Sequence, residues 1–230
     1  MVAILTAAMR KTLLSLPLVL AVAMPAAAQQ WSVGGGVGPF VFGKFATRTS
    51  ALGTEQGTGT STTSRLSAAT RPGVAADVGR DFGRWLGVQF GASWTYAPLQ
   101  LKASGSNAVT FEAGHIGVTT FSAPLVVHLN RGSFRFHLMG GPAYALYHGY
   151  RRTGGGGSDA LFTGTRGRLG GIAGGGVTWR ISNRFGFEGE VSDTITASPF
   201  HVEDIAPTAQ GVRISRPQNV HTTVGVRYYF

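Results

Sequence analysis

Cysteine is absent from the 230 residues, which excludes a disulfide framework, thiol chemistry and cysteine-ligated zinc. Acidic residues are scarce, 10 against 20 lysines and arginines, for a formal net charge of +10. Charged residues make up only 13% of the chain, against 43% hydrophobic. That balance separates it from disordered glycine-rich segments, although it holds 35 glycines. The glycines follow no Gly-X-Y period, so a collagen-like assembly is excluded too. Also missing, beyond residue 24, is any apolar run of the ~18–20 residues needed to cross a membrane as a helix.

The N-terminus reads as a secretory signal. Arg10 and Lys11 supply its positive end, Thr12 to Met24 the apolar run, and Ala26-Ala27-Ala28 a small-residue cleavage site. The expected division is a signal peptide over 1–28 and a single domain over 29–230. Without Arg10 and Lys11 the domain keeps 18 of the 20 cationic residues against all 10 acidic ones, a charge of about +8.

What the domain does contain is alternation. In the last stretch Val220, Thr222, Val224, Val226, Tyr228 and Phe230 form one face, and His221, Thr223, Gly225, Arg227 and Tyr229 the other. An apolar strand of this kind has a sticky edge unless another strand pairs with it, as closure of a barrel would arrange. Leu86, Val88, Phe90, Ala92, Trp94 and Tyr96 alternate just as clearly with small and polar residues. Further strands are predicted over 29–43, 73–80, 114–129, 134–147, 166–180 and 185–196. In the first, Trp31, Val33, Val37 and Val41 share one face and Phe40 and Phe42 the other, so the residues alone leave its facing open.

The connections alternate as well. Short turns at Asp81–Trp85, Asn130–Ser133 and Ile181–Arg184 are interleaved with long segments at Lys44–Pro72, Leu99–Ala113, His148–Thr165 and Ala197–Asn219. Long structureless loops count against a compact soluble domain. They suit a membrane barrel whose long loops all lie at one end. The predicted fold is all-β, an eight-stranded antiparallel up-and-down transmembrane β-barrel.

Ser122-Ala-Pro-Leu-Val-Val-His-Leu129 and Phe136-His-Leu-Met-Gly-Gly-Pro-Ala-Tyr144 carry a Pro-Leu pair before a turn and a Gly-Pro-Ala run after it. With the strand rhythm, they resemble the small eight-stranded outer-membrane barrels of Gram-negative bacteria, the OmpA transmembrane domain and OmpX-like proteins. The resemblance implies export through the periplasm, a monomer in the outer membrane, and lipid and lipopolysaccharide as surroundings. Thr223, Gly225, Tyr228 and Phe230 resemble the C-terminal signal read by the outer-membrane barrel assembly machinery.

On the predicted inward faces lie Asp77, Arg135, His137, Glu188, Glu190 and Arg227. Charges in a narrow barrel must pair or be hydrated, since an unpaired one costs several kcal/mol. A lumenal polar network is therefore expected, and Arg135, Glu188 and Glu190 are expected to couple within it. An eight-stranded interior is about filled by its own side chains, so an open pore is not expected.

No catalytic residues, cofactor or metal are assigned. Glu188 and Glu190 would sit too deep for a substrate cleft. None of the six histidines has serine two residues later, the arrangement that resemblance to a lipid A deacylase would require. Gly38 to Phe45 misses a phosphate-binding loop because Phe45 follows the lysine. Lys44, Arg48, Arg65, Arg71, Lys102, Arg151, Arg152, Arg213 and Arg216 fall in or beside the outer segments, where they suit the phosphates of lipopolysaccharide. Export makes nucleic acid a poor partner. The function read from this is non-enzymatic: envelope structure and surface interaction or adhesion through the outer loops. A lipid A-modifying enzyme, or a narrow passive channel, is the alternative.

Overall fold

The computed structural model describes residues 29–52, 60–104, 109–131, 133–150, 164–202 and 212–230. The signal-peptide assignment thus lies outside the described residues. Among the described residues twelve strands form one antiparallel sheet: β1 (Gln29–Phe42), β2 (Lys44–Leu52), β3 (Thr60–Ala68), β4 (Arg71–Phe82), β5 (Leu86–Ser104), β6 (Val109–Ser122), β7 (Leu125–Arg131), β8 (Phe134–Tyr150), β9 (Gly164–Arg180), β10 (Phe185–Thr196), β11 (Val212–Ile214) and β12 (Gln218–Tyr229).

The ring runs β1, β4, β5, β6 with β7, β8, β9, β10, β12 and back to β1, which makes eight staves. The closing pair places Gly36 opposite Gly225 and Val37 opposite Val224, so the terminal strand has no free edge. The predicted eight-stranded barrel is the observed one.

β6 and β7 are one stave with a gap. Ser122 pairs with Gly91 and Leu125 with Val88, so the register is unchanged across Ala123–Pro124. The gap arises because Pro124 has no N–H to give the ladder. Neighbouring bonds survive: Gln89 N donates to Pro124 O at 3.1 Å and Ala123 N to Pro142 O at 3.0 Å.

The long segments differ from expectation. Lys44–Pro72 is for the most part a hairpin of β2 and β3, which prolongs the wall beyond the ring. β1 and β2 are separated only by Gly43, whose N donates to Gln218 O at 2.6 Å and where a Cβ would lie 2.8 Å from Gln218 N. Leu99–Ala113 is likewise mostly strand, because β5 runs to Ser104 and β6 starts at Val109. In this extension β11, β2, β3, β5 and β6 lie side by side. Threonine- and serine-rich strands hold together through their backbones and lack contrast between faces, so their period is invisible in the residues. Positions 53–59, 105–108, 151–163 and 203–211 of the expected loops lie outside the described residues.

Facing follows the alternation. Phe90 is 60% exposed and Trp94 50%, as lipid-facing residues of a barrel should be. In β1, Trp31, Val33, Val37 and Val41 point out while Phe40 and Phe42 are buried. Near the short turns the outward aromatics form a belt, with Phe134 stacked on Trp179 and Phe185 edge-on to Tyr228.

Candidate functional site

The interior facing the short turns is built on charge. Arg227 of β12 donates from Nε to Glu188 Oε2 of β10 at 2.7 Å and from Nη2 to Asp77 Oδ1 of β4 at 3.0 Å, with Nη1 2.8 Å from Asp77 Oδ2 in the same ion pair. It also donates to Ser32 Oγ at 3.0 Å. A second group lies alongside. Arg135 of β8 pairs with Asp81 Oδ2 at 2.6 Å, and His128 Nε2 of β7 lies 3.0 Å from Asp81 Oδ1. All of these side chains are at least four-fifths buried, so each ion pair is shielded from bulk water.

Glycine makes these meetings geometrically available. Residues directly opposite on neighbouring strands share a face at about 4.8 Å per strand, so residues two strands apart are about 10 Å apart. Asp77, Gly34 and Arg227 lie in one such row, with glycine in the middle. A Cβ at Gly34 would sit 2.7 Å from Asp77 Oδ1 and 3.0 Å from Arg227 Nη2. Gly87 makes room in the same way, since a Cβ there would lie 2.8 Å from Asp81 Oδ1 and 3.1 Å from His128 Nε2.

The pattern recurs at His137, Gly176 and Glu190, which share a row across β8, β9 and β10. His137 Nε2 reaches within 3.4 Å of Glu190 Oε2 and 3.9 Å of Glu188 Oε1. A cavity of about 50 Å³ adjoins this group, lined in part by Gln89, Thr120, Glu188, Glu190, Ser192 and His221.

Towards the long segments the lumen changes character. Asn219 Nδ2 donates to Tyr147 Oη at 3.1 Å, and Tyr147 Oη lies 2.6 Å from Thr196 Oγ1. Phe40 stacks on His221 at 4.7 Å. Above them Phe42, Phe45, Leu66, Leu99, Ile116, Tyr147 and Phe200 form a buried apolar cluster. Phe45 enters it through a bulge in β2, where pairing jumps from Lys44–Ser67 to Ala46–Leu66. It meets Phe200 at 5.3 Å and Tyr147 at 6.2 Å, both edge-on. The described side chains therefore occupy the lumen at two levels, one ionic and one aromatic.

Of the six lumenal residues expected from the sequence, Asp77, Arg227 and Glu188 meet directly, and His137 lies against Glu188 and Glu190. Arg135 departs from expectation, because its ion pair is with Asp81 rather than with the two glutamates. Asp81 and His128 were missed. Asp81 sits at the end of β4, where the sequence suggests a turn, yet it keeps the parity of Asp77. His128 lies in a stave whose glycines and proline obscure the two faces.

Of the candidate assembly residues, Thr223 lines the cavity, Gly225 packs against β1, and Phe230 is 72% exposed beside Tyr228. Lys44, Arg48, Arg65, Arg71, Lys102, Arg213 and Arg216 are exposed, and Arg151 and Arg152 lie outside the described residues. Register brings three of them together. Arg213, Thr47, Arg65 and Lys102 are successive partners across β11, β2, β3 and β5, and so share one face of the extension, opposite the buried Leu66.

His148 Nδ1 lies 2.8 Å from Thr165 Oγ1, His115 Nε2 3.6 Å from Glu112, and His201 Nε2 accepts from Arg168 Nη2 at 3.2 Å. None of these contacts is a nucleophilic serine held by its base.

Solved structures of similar fold include the outer membrane protein OprG of Pseudomonas aeruginosa. It is 14% identical, with a TM-score of 0.55 over 88% of this chain and 96% of that one. Ail of Yersinia pestis, solved with the heparin analogue sucrose octasulfate, is 11% identical with a TM-score of 0.43 over 87% and 99%. The outer membrane protease OmpT of Escherichia coli is 12% identical with a TM-score of 0.44 over 87% and 97%. No curated protein matches the sequence. The model of the outer membrane protein beta-barrel domain matches residues 14–230. With the closed ring and apolar exterior, that match makes this chain a bacterial outer-membrane protein of the outer membrane protein beta-barrel domain family.

Proposed function

We propose that this barrel is neither an enzyme nor a pore, and that it acts through surface contacts made by its extracellular sheet extension. The observation that carries the reading is the lumen occupied at two levels, by the Asp77–Arg227–Glu188 ion pairs and by the Phe42–Phe45–Phe200 cluster. An ion crossing the barrel would have to separate buried salt bridges and then displace packed aromatic rings. Each step is costly in a low-dielectric interior.

The working surface is then the outer face of the extension, where Arg65 and Lys102 are direct neighbours and Arg213 lies two strands away. Such a row matches closely spaced phosphates, which points to lipopolysaccharide as the partner. The test combines three measurements, two on the purified, folded protein and one on cells with and without it. Planar bilayers should show no steady conductance, and lipid A mass spectra should be identical with and without expression. R65Q/K102Q should weaken lipopolysaccharide binding while the barrel remains folded. Steady conductance or modified lipid A would replace the reading with a channel or an enzyme.

A further inference from the structure

The lumenal charges do not balance. Among the described residues Asp77 and Glu188 share Arg227, and Asp81 takes Arg135, while no arginine or lysine pairs with Glu190. Glu190 instead faces His137, whose side chain is 4% exposed. His137 Nε2 has no hydrogen-bond partner, although it is aimed between two carboxylates. A buried imidazole nitrogen left in that position calls for a ligand.

The neighbouring atoms leave one oxygen of each carboxylate turned towards His137. Glu188 Oε2 is taken by Arg227 Nε, while Glu188 Oε1 accepts from Thr178 Oγ1 at 3.5 Å and lies 3.9 Å from His137 Nε2. Glu190 Oε1 accepts from Ser192 Oγ at 3.4 Å, and Glu190 Oε2 turns to His137. One ligand atom from each of His137, Glu188 and Glu190 lies within 4.8 Å of the other two. The separations of 3.4 and 3.9 Å from His137 Nε2 are long for hydrogen bonds. They are close to the edge of a tetrahedral site, about 3.4 Å when metal bonds are ~2.0–2.1 Å. The adjoining 50 Å³ cavity has room for a water as fourth ligand.

We propose that His137, Glu188 and Glu190 bind a divalent transition-metal ion of the zinc class inside the barrel. One imidazole and two carboxylate oxygens suit such an ion. Calcium prefers six to eight oxygens and magnesium an octahedron of them. Arg227 and Ser192 orient the two carboxylates from behind, the role that outer partners play at metal sites. Gly176, between His137 and Glu190 in their row, leaves the space: a Cβ there would lie 2.7 Å from His137 Cε1. The ion would staple β8 to β10 and neutralise Glu190. This inference stands apart from the proposed surface function.

The test uses the mature protein refolded in detergent under metal-free conditions and titrated with Co²⁺, followed by its visible absorption and by Zn²⁺ displacement. One ion per chain is expected, with affinity lowered at least about tenfold in H137Q and in E190Q. Unboiled gel mobility identifies the folded variants; E190Q, which preserves shape, decides if H137Q fails to fold. Chelation should lower the unfolding midpoint of the unsubstituted protein and leave that of E190Q unmoved. No Co²⁺ binding, or binding undiminished in E190Q, overturns the proposal. So does a midpoint that ignores the chelator, which would leave His137 and Glu190 facing each other without an ion.

Discussion

Arg227 and Asp77 meet at 2.8 Å across a strand that places only Gly34 between them. Removing the arginine leaves Asp77 and Glu188 buried without their shared partner. Arg227→Met should destabilise the barrel by about 3–5 kcal/mol in urea unfolding from lipid vesicles. A cycle of R227M with D77N should show coupling, and additive effects would mean the two charges are hydrated separately.

The same row makes a steric prediction. Gly34→Ala puts a methyl 2.7 Å from Asp77 Oδ1 and should cost about 1–3 kcal/mol. Gly35→Ala, whose nearest neighbour would be 3.7 Å away, should stay within about 0.5 kcal/mol. Equal costs at the two positions would show that glycine is needed for backbone reasons alone.

Arg135 belongs to Asp81, and stability cycles can read that assignment. R135M with D81N should couple strongly, while R135M with E190Q should be close to additive. The reverse result would restore the network expected from the sequence.

Phe90 is 60% exposed on the outer wall. Phe90→Lys should cost about 2–4 kcal/mol if the residue sits near the bilayer midplane, and Phe90→Leu less than about 1.5 kcal/mol. A lysine tolerated there without loss of stability in lipid would place this surface outside the hydrocarbon.

Phe230 is 72% exposed, and its N donates to Trp31 O at 3.0 Å, so its ring contributes little to the lumen. Deleting it should reduce insertion in cells far more than refolding in detergent. Normal insertion of the truncated chain would remove Phe230 from the assembly signal.

Much of the wall was legible in the residues. Leu86 to Tyr96 and Val220 to Phe230 alternate strongly enough to define both strand and facing, and the short turns mark where each stave reverses. The hairpin of β2 and β3 was not legible, because Thr62, Thr63 and Ser64 look alike from either face. Phe45 was hidden for another reason: a bulge sets two buried residues, Phe45 and Ala46, side by side and breaks the period.

By itself the sequence determined that eight staves would make the ring, which face of Leu86–Tyr96 and of Val220–Phe230 meets lipid, and that the charges Asp77, Arg135, His137, Glu188, Glu190 and Arg227 point inward. These follow from a local property, the period-two alternation that the pleat imposes. Only the tertiary structure decided who meets whom. Arg227 finds Asp77, Arg135 finds Asp81, and His137 faces Glu190 because inter-strand register sets them level and Gly34 and Gly176 leave gaps to cross. Register joins residues as far apart as the 150 positions between Asp77 and Arg227, so no local pattern contains it.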